Sequence, residues 1–163
     1  VSASLTYVIG DATRPGVEGP KFIAHVVNDV RAWGAGFVLA ISARWRSPEA
    51  AYKRWPRPGM SDAPFELGNV QLVEVEPELY VANLLAQTGL RGNYDEIPLR
   101  YDALDRCLQK LGQVVKPTGG TVHMPRIGCG LAGGTWDKVE PLIQKNLVDQ
   151  GVYTFVYDLP PRR

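Results

Sequence analysis

Cysteine and histidine are scarce in this chain, two of each among 163 residues. Cys107 and Cys129 fall in different surroundings and form no metal-ligand spacing with His25 or His123, so neither a metal centre nor a disulfide framework is indicated. A reduced, cytoplasmic protein without a cofactor is expected. Long hydrophobic runs are missing too. None approaches the ~20 residues that span a bilayer, and the first residues carry no signal-peptide pattern. Nor does charge of one sign prevail: eighteen basic residues face seventeen acidic ones, a formal charge of +1. That balance argues against a sequence-independent grip on DNA or RNA. Membranes and nucleic acids are therefore not the expected partners, and a small molecule or a protein is. Internal repeats are absent.

What the chain does have is 45% hydrophobic content, enough at this length for one sizeable core and too little chain for two ordinary ones. One domain over residues 1–163 is expected, as a monomer. Short strands are predicted at 5–9 and 21–27, the second a nearly continuous apolar run of the kind covered on both faces. Helical segments follow at 37–45 and 48–54, then a loop over 55–64. Strands resume at 68–75 and 79–85, joined by the turn 76–78, and 87–96 reads as loop. Tyr101, Leu104, Leu108 and Leu111 recur at helical spacing and mark an amphipathic helix over 99–115, ended near Lys116-Pro117. A strand from 121, a helix over 136–149 and a last strand over 152–157 complete the order. Strands interleaved with helices give an α/β fold whose sheet, at least partly parallel, carries helices on both sides.

The most informative stretch runs from Thr121 to Trp136, where a strand breaks into glycines before a helix. With few side chains in the way, backbone N–H groups can approach an anion, and the following helix points its positive end towards the same place. Two other strand ends carry small or polar residues, Gly10-Asp11 and the segment from Asn28 to Gly36. Ligands of such sheets bind beyond the carboxyl ends of the strands. Converging there, the three loops suit a nucleotide with a diphosphate. Gly128-x-Gly130-x-x-Gly133 matches the dinucleotide fingerprint, with Asp158 at the end of the next strand. That fingerprint normally opens a multi-strand unit, however, and here one strand follows. Residues 128–135 also imitate a P-loop, but Gly134 stands at the lysine position, and the charge that handles β- and γ-phosphates is missing.

Four blocks in order, Tyr7-Val-Ile-Gly-Asp11, His25 to Gly36 with its Trp-Gly-Ala-Gly, Met124-Pro-Arg-Ile-Gly-Cys-Gly-Leu131 and Val156-Tyr157, resemble the macro domains, a family that binds ADP-ribose. The resemblance covers almost the whole chain. It is greatest to the branch containing the terminal ADP-ribose glutamate hydrolase and the macro module of a chromatin remodeller. It implies a three-layer α/β/α sandwich around a mixed sheet, with ADP-ribose and ADP-ribosylated proteins as partners. Asp11, beside Ala12, would accept a hydrogen bond from the adenine amino group, and Tyr157 would stack on the adenine face. The loop of Gly34, Ala35 and Gly36 and the loop of Gly128, Cys129, Gly130, Leu131, Ala132 and Gly133 would wrap the diphosphate with N–H groups. Val30, Trp33, Phe37, Arg126 and Ile127 belong to the same ligand-binding set. Asn28 would face the distal ribose.

Hydrolases of that branch use a lysine that attacks the distal ribose and an aspartate after the glycine loop. Gln87 and Ala132 stand at those positions here. Glutamine forms no Schiff base, so the covalent route is closed. The resemblance then implies either binding alone or a non-covalent hydrolysis of the ester between ribose and an acidic side chain. In the second case Gln87 and Asn28 position the ribose and a water, Asp29 is the candidate base, and the substrate's diphosphate helps orient the nucleophile. A phosphatase or deacylase of ADP-ribose 1″-phosphate or O-acetyl-ADP-ribose is a further alternative. Taken without the resemblance, Asp11 reads as a turn residue bonding local amides, Tyr157 as strand packing and Asn28-Asp29 as a turn or cap. His25 reads as a satisfied core histidine. Cys129, beside a helix start that can lower a thiol pKa, reads first as a small packing residue. Trp33 and Trp136 either wall the pocket or anchor its loops, and Lys53-Arg54 and Arg162-Arg163 read as solvated charge.

Overall fold

The computed structural model describes residues 3–90 and 97–161; the 91–96 part of the expected loop and the terminal Arg162-Arg163 lie outside the described residues. The order is β1 (Leu5–Ile9), β2 (Lys21–Asn28), α1 (Phe37–Arg44), α2 (Ser47–Arg54), β3 (Val70–Glu76), β4 (Leu79–Gln87), α3 (Tyr101–Val115), β5 (Thr121–Met124), α4 (Trp136–Asn146) and β6 (Thr154–Asp158). The strands form one sheet in the order β1-β6-β5-β2-β4-β3. Every neighbouring pair is parallel except β3 with β4. That exception follows from the connection: only Pro77 and Glu78 separate the two strands, Glu78 taking a left-handed φ of 61°. A tight turn can join antiparallel strands only, whereas parallel strands need a crossover.

Alternation along β2 and β4 divides their side chains between two cores. Phe22, Ala24, Ala82, Leu84 and Ala86 pack with Leu104, Leu108 and Leu111 of α3 and Ile143 of α4. Ile23, Val27, Val81 and Leu85 pack with Ile41 of α1 and Tyr52 of α2. Both faces of the central strands are covered, which is why their sequence is a nearly continuous apolar run, interrupted by His25 in β2 and Asn83 in β4. The result is the expected three-layer α/β/α sandwich with a mixed sheet.

Most element boundaries differ from the sequence reading by a few residues, and two of the differences have a visible structural reason. Gln87, placed in a loop because a polar residue ended the apolar run, is the last residue of β4 and pairs with Asn28 across a bulge at Val27/Asn28. The helix read as 136–149 stops at Asn146, whose side chain donates to Asp105 Oδ1 at 2.7 Å; a 3₁₀ turn, Val148–Gln150, follows. After β4 the chain passes through α3 and re-enters the sheet as β5, on the opposite side of β2. The order of strands therefore switches at β2, and a crevice opens beyond the carboxyl ends of β2, β4 and β5.

Candidate functional site

A cleft of about 490 Å³ fills that crevice. One wall is the segment from Gly34 to Val38, the other the segment from Pro125 to Ala132, and His25, Asn28 and Gln87 line it from β2 and β4. Arg126 is the one fully charged side chain among its described lining residues.

The first wall is set by Asn28. Its Oδ1 accepts the N–H groups of Val30 at 3.2 Å and Ala32 at 2.9 Å, and its Nδ2 donates to Ala32 O at 2.9 Å. The Tyr52 hydroxyl, whose pKa burial raises, touches both the carbonyl and Oδ1 of Asn28. These contacts fold residues 28–32 into a turn, with Arg31 at a left-handed φ of 60°. Trp33 anchors the next step: its indole N–H donates to Ser42 Oγ at 2.7 Å, and it packs edge-on to His25, outside the cleft lining. α1 then starts with Gly36 at φ 84° and no side-chain cap. The N–H groups of Phe37 and Val38 find no acceptor among the described residues. Such orphan donors at a helix start attract anions.

The second wall stands on Leu99. A Cβ at Gly128 would fall 2.8 Å from Leu99 Cδ2, and one at Gly134 only 2.4 Å from the same atom. These two glycines permit close packing, whereas Gly34 and Gly130 face open space. Within the loop, the N–H groups of Cys129, Gly133 and Gly134 bond to the carbonyls of Arg126, Gly130 and Gly128. Those of Gly130, Leu131 and Ala132 have no acceptor among the described residues. Leu131 is 58% exposed, and its Cδ1 lies 3.6 Å from the place of a Gly36 Cβ, so the two loops meet across the cleft.

The helix after the glycine loop does not point into the cleft, contrary to the sequence expectation. Thr135, at the start of α4, donates its N–H to the Tyr101 hydroxyl at 3.1 Å, and residues 133–138 are absent from the lining. α1 takes that place. Cys129 is half-buried, and burial pushes its thiol pKa up instead of the helix start drawing it down. It is a packing residue.

Gln87 and Asp29 both hold Gly89. Gln87 Nε2 donates to Gly89 O at 2.9 Å, and Asp29 Oδ1 accepts the Gly89 N–H at 2.9 Å. Gln87 Oε1 has no partner among the described residues, and the side chain lines the cleft. Asp29 lies outside the lining, as does Val30.

Beyond β5 in the sheet, the ends of β6 and β1 carry Tyr157, Asp11 and Ala12, which also stand outside the cleft lining. Asp11 Oδ1 accepts from the Thr13 N–H at 2.9 Å and the Thr13 hydroxyl at 2.7 Å, a local turn that leaves Oδ2 near Arg14 at 3.8 Å. A Cβ on Gly10 would lie 3.7 Å from Tyr157 Cδ2, so this turn sits beside the Tyr157 ring. The Tyr157 hydroxyl bonds to His123 Nδ1 at 2.8 Å, and His123 Nε2 to Thr121 Oγ1 at 2.7 Å. Burial, helped by the Lys21 charge, lowers the His123 pKa to about 4.

Arg126 bridges the two regions. Its Nε and Nη2 donate to the Asp158 carboxylate at 2.8 and 2.9 Å, and its guanidinium carbon lies 5.2 Å from the ring centroids of both Tyr7 and Trp136. Asp158, held below the usual carboxylate range by this pairing, is thus engaged with Arg126 and is not a free ribose-binding acid. Trp136 serves as an anchor on this rim, donating its indole N–H to the Tyr7 hydroxyl at 2.8 Å.

The structure thus gathers Asn28, Gln87, Gly34, Ala35, Gly36, Phe37, Arg126, Ile127, Gly128, Gly130, Leu131 and Ala132 around one cleft. It adds Ala32, Val38, Leu90 and Pro125, and also His25 with its neighbours on β2. The signal for His25 lay in the alternation of β2, which sets it on the face of Val27, at the end of the strand where the loops converge. No groups of three or more histidine, cysteine, aspartate or glutamate side chains able to hold a metal occur among the described residues. Among them, too, no helix is long and apolar enough to cross a membrane.

No family model matches the chain. It is 33% identical over 163 residues to the chromodomain-helicase-DNA-binding protein 1-like of Danio rerio, covering 94% of this chain and 15% of that protein's length. A protein of unknown function from Bacteroides thetaiotaomicron superposes with a TM-score of 0.90 at 44% identity, over 96% of this chain and 99% of that one. A macrodomain protein from Streptomyces coelicolor superposes with a TM-score of 0.83 at 48% identity, over 95% and 99%. Identity of that degree across nearly the whole of both chains, on the same fold, shows that the chain belongs to the macrodomain family.

Proposed function

We propose that this chain binds ADP-ribose along the carboxyl edge of its sheet and hydrolyses ADP-ribosyl esters on acidic side chains of proteins without a covalent intermediate. The observation that carries the reading is the pair of loops meeting at Gly36 and Leu131, each bearing N–H groups with no acceptor among the described residues. Such groups bind a diphosphate without a lysine. Along β4-β2-β5-β6-β1 there are four strand spacings, about 19 Å in all. That length accommodates a nucleoside diphosphate with a sugar at each end. Tyr157 and Asp11 stand at one end, Gln87 and Asn28 at the other.

An anomeric ester needs modest help. The ester C–O bond breaks, the carboxylate leaves with the electron pair, and a water oxygen bonds to the anomeric carbon. The water proton passes to a diphosphate oxygen or to solvent. Gln87 Oε1, without a partner among the described residues, accepts one hydrogen of that water and fixes its direction. Asp29 lies outside the cleft lining, with Oδ1 on the Gly89 N–H, and is not the preferred base. A binding-only reading has the placement of these residues in its favour: Asp29 lies outside the cleft lining, and Asn28 is an amide spent on the turn after β2.

Parallel incubation with a glutamate-linked ADP-ribosylated protein, O-acetyl-ADP-ribose and ADP-ribose 1″-phosphate separates the readings. Release of ADP-ribose from the modified protein supports the hydrolase. Calorimetric binding with no turnover of any substrate leaves the binding module, and no heat with millimolar ADP-ribose removes both.

A further inference from the structure

We infer that His25 is a ligand-contacting residue, offering its Nδ1 as an uncharged, hydrogen-free acceptor to a hydroxyl of the terminal ribose; this rests on the ADP-ribose reading above. The argument begins one layer away, in α2. The carbonyl of Ala51 belongs to the last turn of that helix, where C=O groups lack partners along the helix. A carbonyl can only accept. Gln71 therefore presents Nε2 to it, at 2.9 Å, and turns Oε1 towards Asn83. Asn83 answers with Nδ2, 3.0 Å from Gln71 Oε1 and 3.4 Å from the carbonyl of Pro48, so its Oδ1 faces the other way. That oxygen lies 2.5 Å from His25 Nε2. The hydrogen must sit on Nε2, because Oδ1 has none to give. Nδ1 is left with a bare lone pair.

The polarity of one helix carbonyl is thus relayed through two amides to fix the tautomer of the imidazole. His25 is 2% exposed, and burial lowers its pKa to about 4, which keeps the ring neutral. Trp33, edge-on at 5.2 Å, and Phe37, at 6.0 Å, hold its plane. Nδ1 has no partner among the described residues, yet no fully buried side-chain nitrogen or oxygen among them is left without one. Nδ1 therefore retains access, and the residue lines the cleft. Its place decides the donor. His25 lies on β2, three residues before Asn28 and beside the strand that ends in Gln87, three strands from the β1 turn that holds Asp11. The donor it meets is on the terminal sugar and not on the base.

Two-bond ¹H–¹⁵N spectra of the ¹⁵N-labelled protein, with His25 assigned through its backbone, test this directly. In the free protein the hydrogen is expected on Nε2. ADP-ribose is expected to move the Nδ1 resonance to lower frequency as it accepts a hydrogen bond, and ADP, which lacks the terminal ribose, to leave it in place. A hydrogen on Nδ1, an unmoved Nδ1 at saturating ADP-ribose, or an equal shift with ADP overturns the inference while the binding reading stands. Calorimetry in the same buffer showing no ADP-ribose binding overturns both.

Discussion

Asn28 and Gln87 are both buried amides at the end of a central strand, but they do different things. Asn28 makes bonds to Val30, Ala32 and Tyr52 that shape the turn after β2. Gln87 has one side-chain bond among the described residues, from Nε2 to Gly89 O, and lines the cleft. Asn28→Ala should therefore lower unfolding stability by about 2–3 kcal/mol in urea titration, since several groups lose a partner at once. Gln87→Ala should cost about 1 kcal/mol or less, keep ADP-ribose binding within a few-fold, and abolish ester hydrolysis. A Gln87→Ala protein with full turnover would exclude this residue from the chemistry. Cys129 gives the opposite expectation. Its thiol, raised by burial, should react slowly with iodoacetamide at pH 7, and Cys129→Ser should leave turnover unchanged. At this scale the sequence was ambiguous because one side chain can do two jobs: Asp11 is the turn residue its neighbours suggested, with Oδ1 on Thr13, while Oδ2 of the half-exposed side chain lies 3.8 Å from Arg14.

Each loop of the cleft depends on a different support, and the glycines report which is which. Gly134→Ala forces a methyl to within 2.4 Å of Leu99 Cδ2 and 2.6 Å of the Gly128 carbonyl. Relief must come from the backbone, so a loss of about 1–3 kcal/mol is expected on thermal or urea unfolding. Gly34→Ala meets no protein atom within 4 Å. It should melt as the parent does yet bind ADP-ribose more weakly, because the methyl stands where a ligand approaches; unchanged affinity would remove Gly34 from the diphosphate site. Strand and helix positions were legible at this scale, since burial on alternate or every third and fourth residue is written in Leu104, Leu108 and Leu111 and in the apolar run of β2. Which helix start lies at the cleft was not. α1 and α4 both follow glycine-rich segments, and what distinguishes them is place: Gly36, Phe37 and Val38 line the cleft, whereas Thr135, 34 residues after Tyr101, turns its N–H to the Tyr101 hydroxyl outside it.

Over the whole molecule, two neutral buried histidines make stability depend on acidity. His25 and His123 are held at about 4 by burial against an ordinary 6.5. Above pH 6.5 both folded and unfolded chains leave them neutral, and they contribute nothing to the difference. As pH falls below 6.5 the unfolded chain gains protons that the folded one refuses until about pH 4, so stability drops across that window. At pH 5 the loss is about 2 kcal/mol for each histidine, read as lower urea midpoints than at pH 7; equal midpoints would contradict their burial in the neutral form. Sheet order was out of reach of the sequence, because it depends on which side of β2 the crossover through α3 returns, and that is settled by packing among residues far apart in the chain. The last pairing in that order has a practical side. β1 and β6 are parallel neighbours, so the first strand begins at the rim opposite the cleft while the last runs up beside it. Immobilised on a biosensor through residues ahead of β1, the protein presents its mouth to the flowing analyte; tethered through residues after β6, it turns that mouth towards the chip.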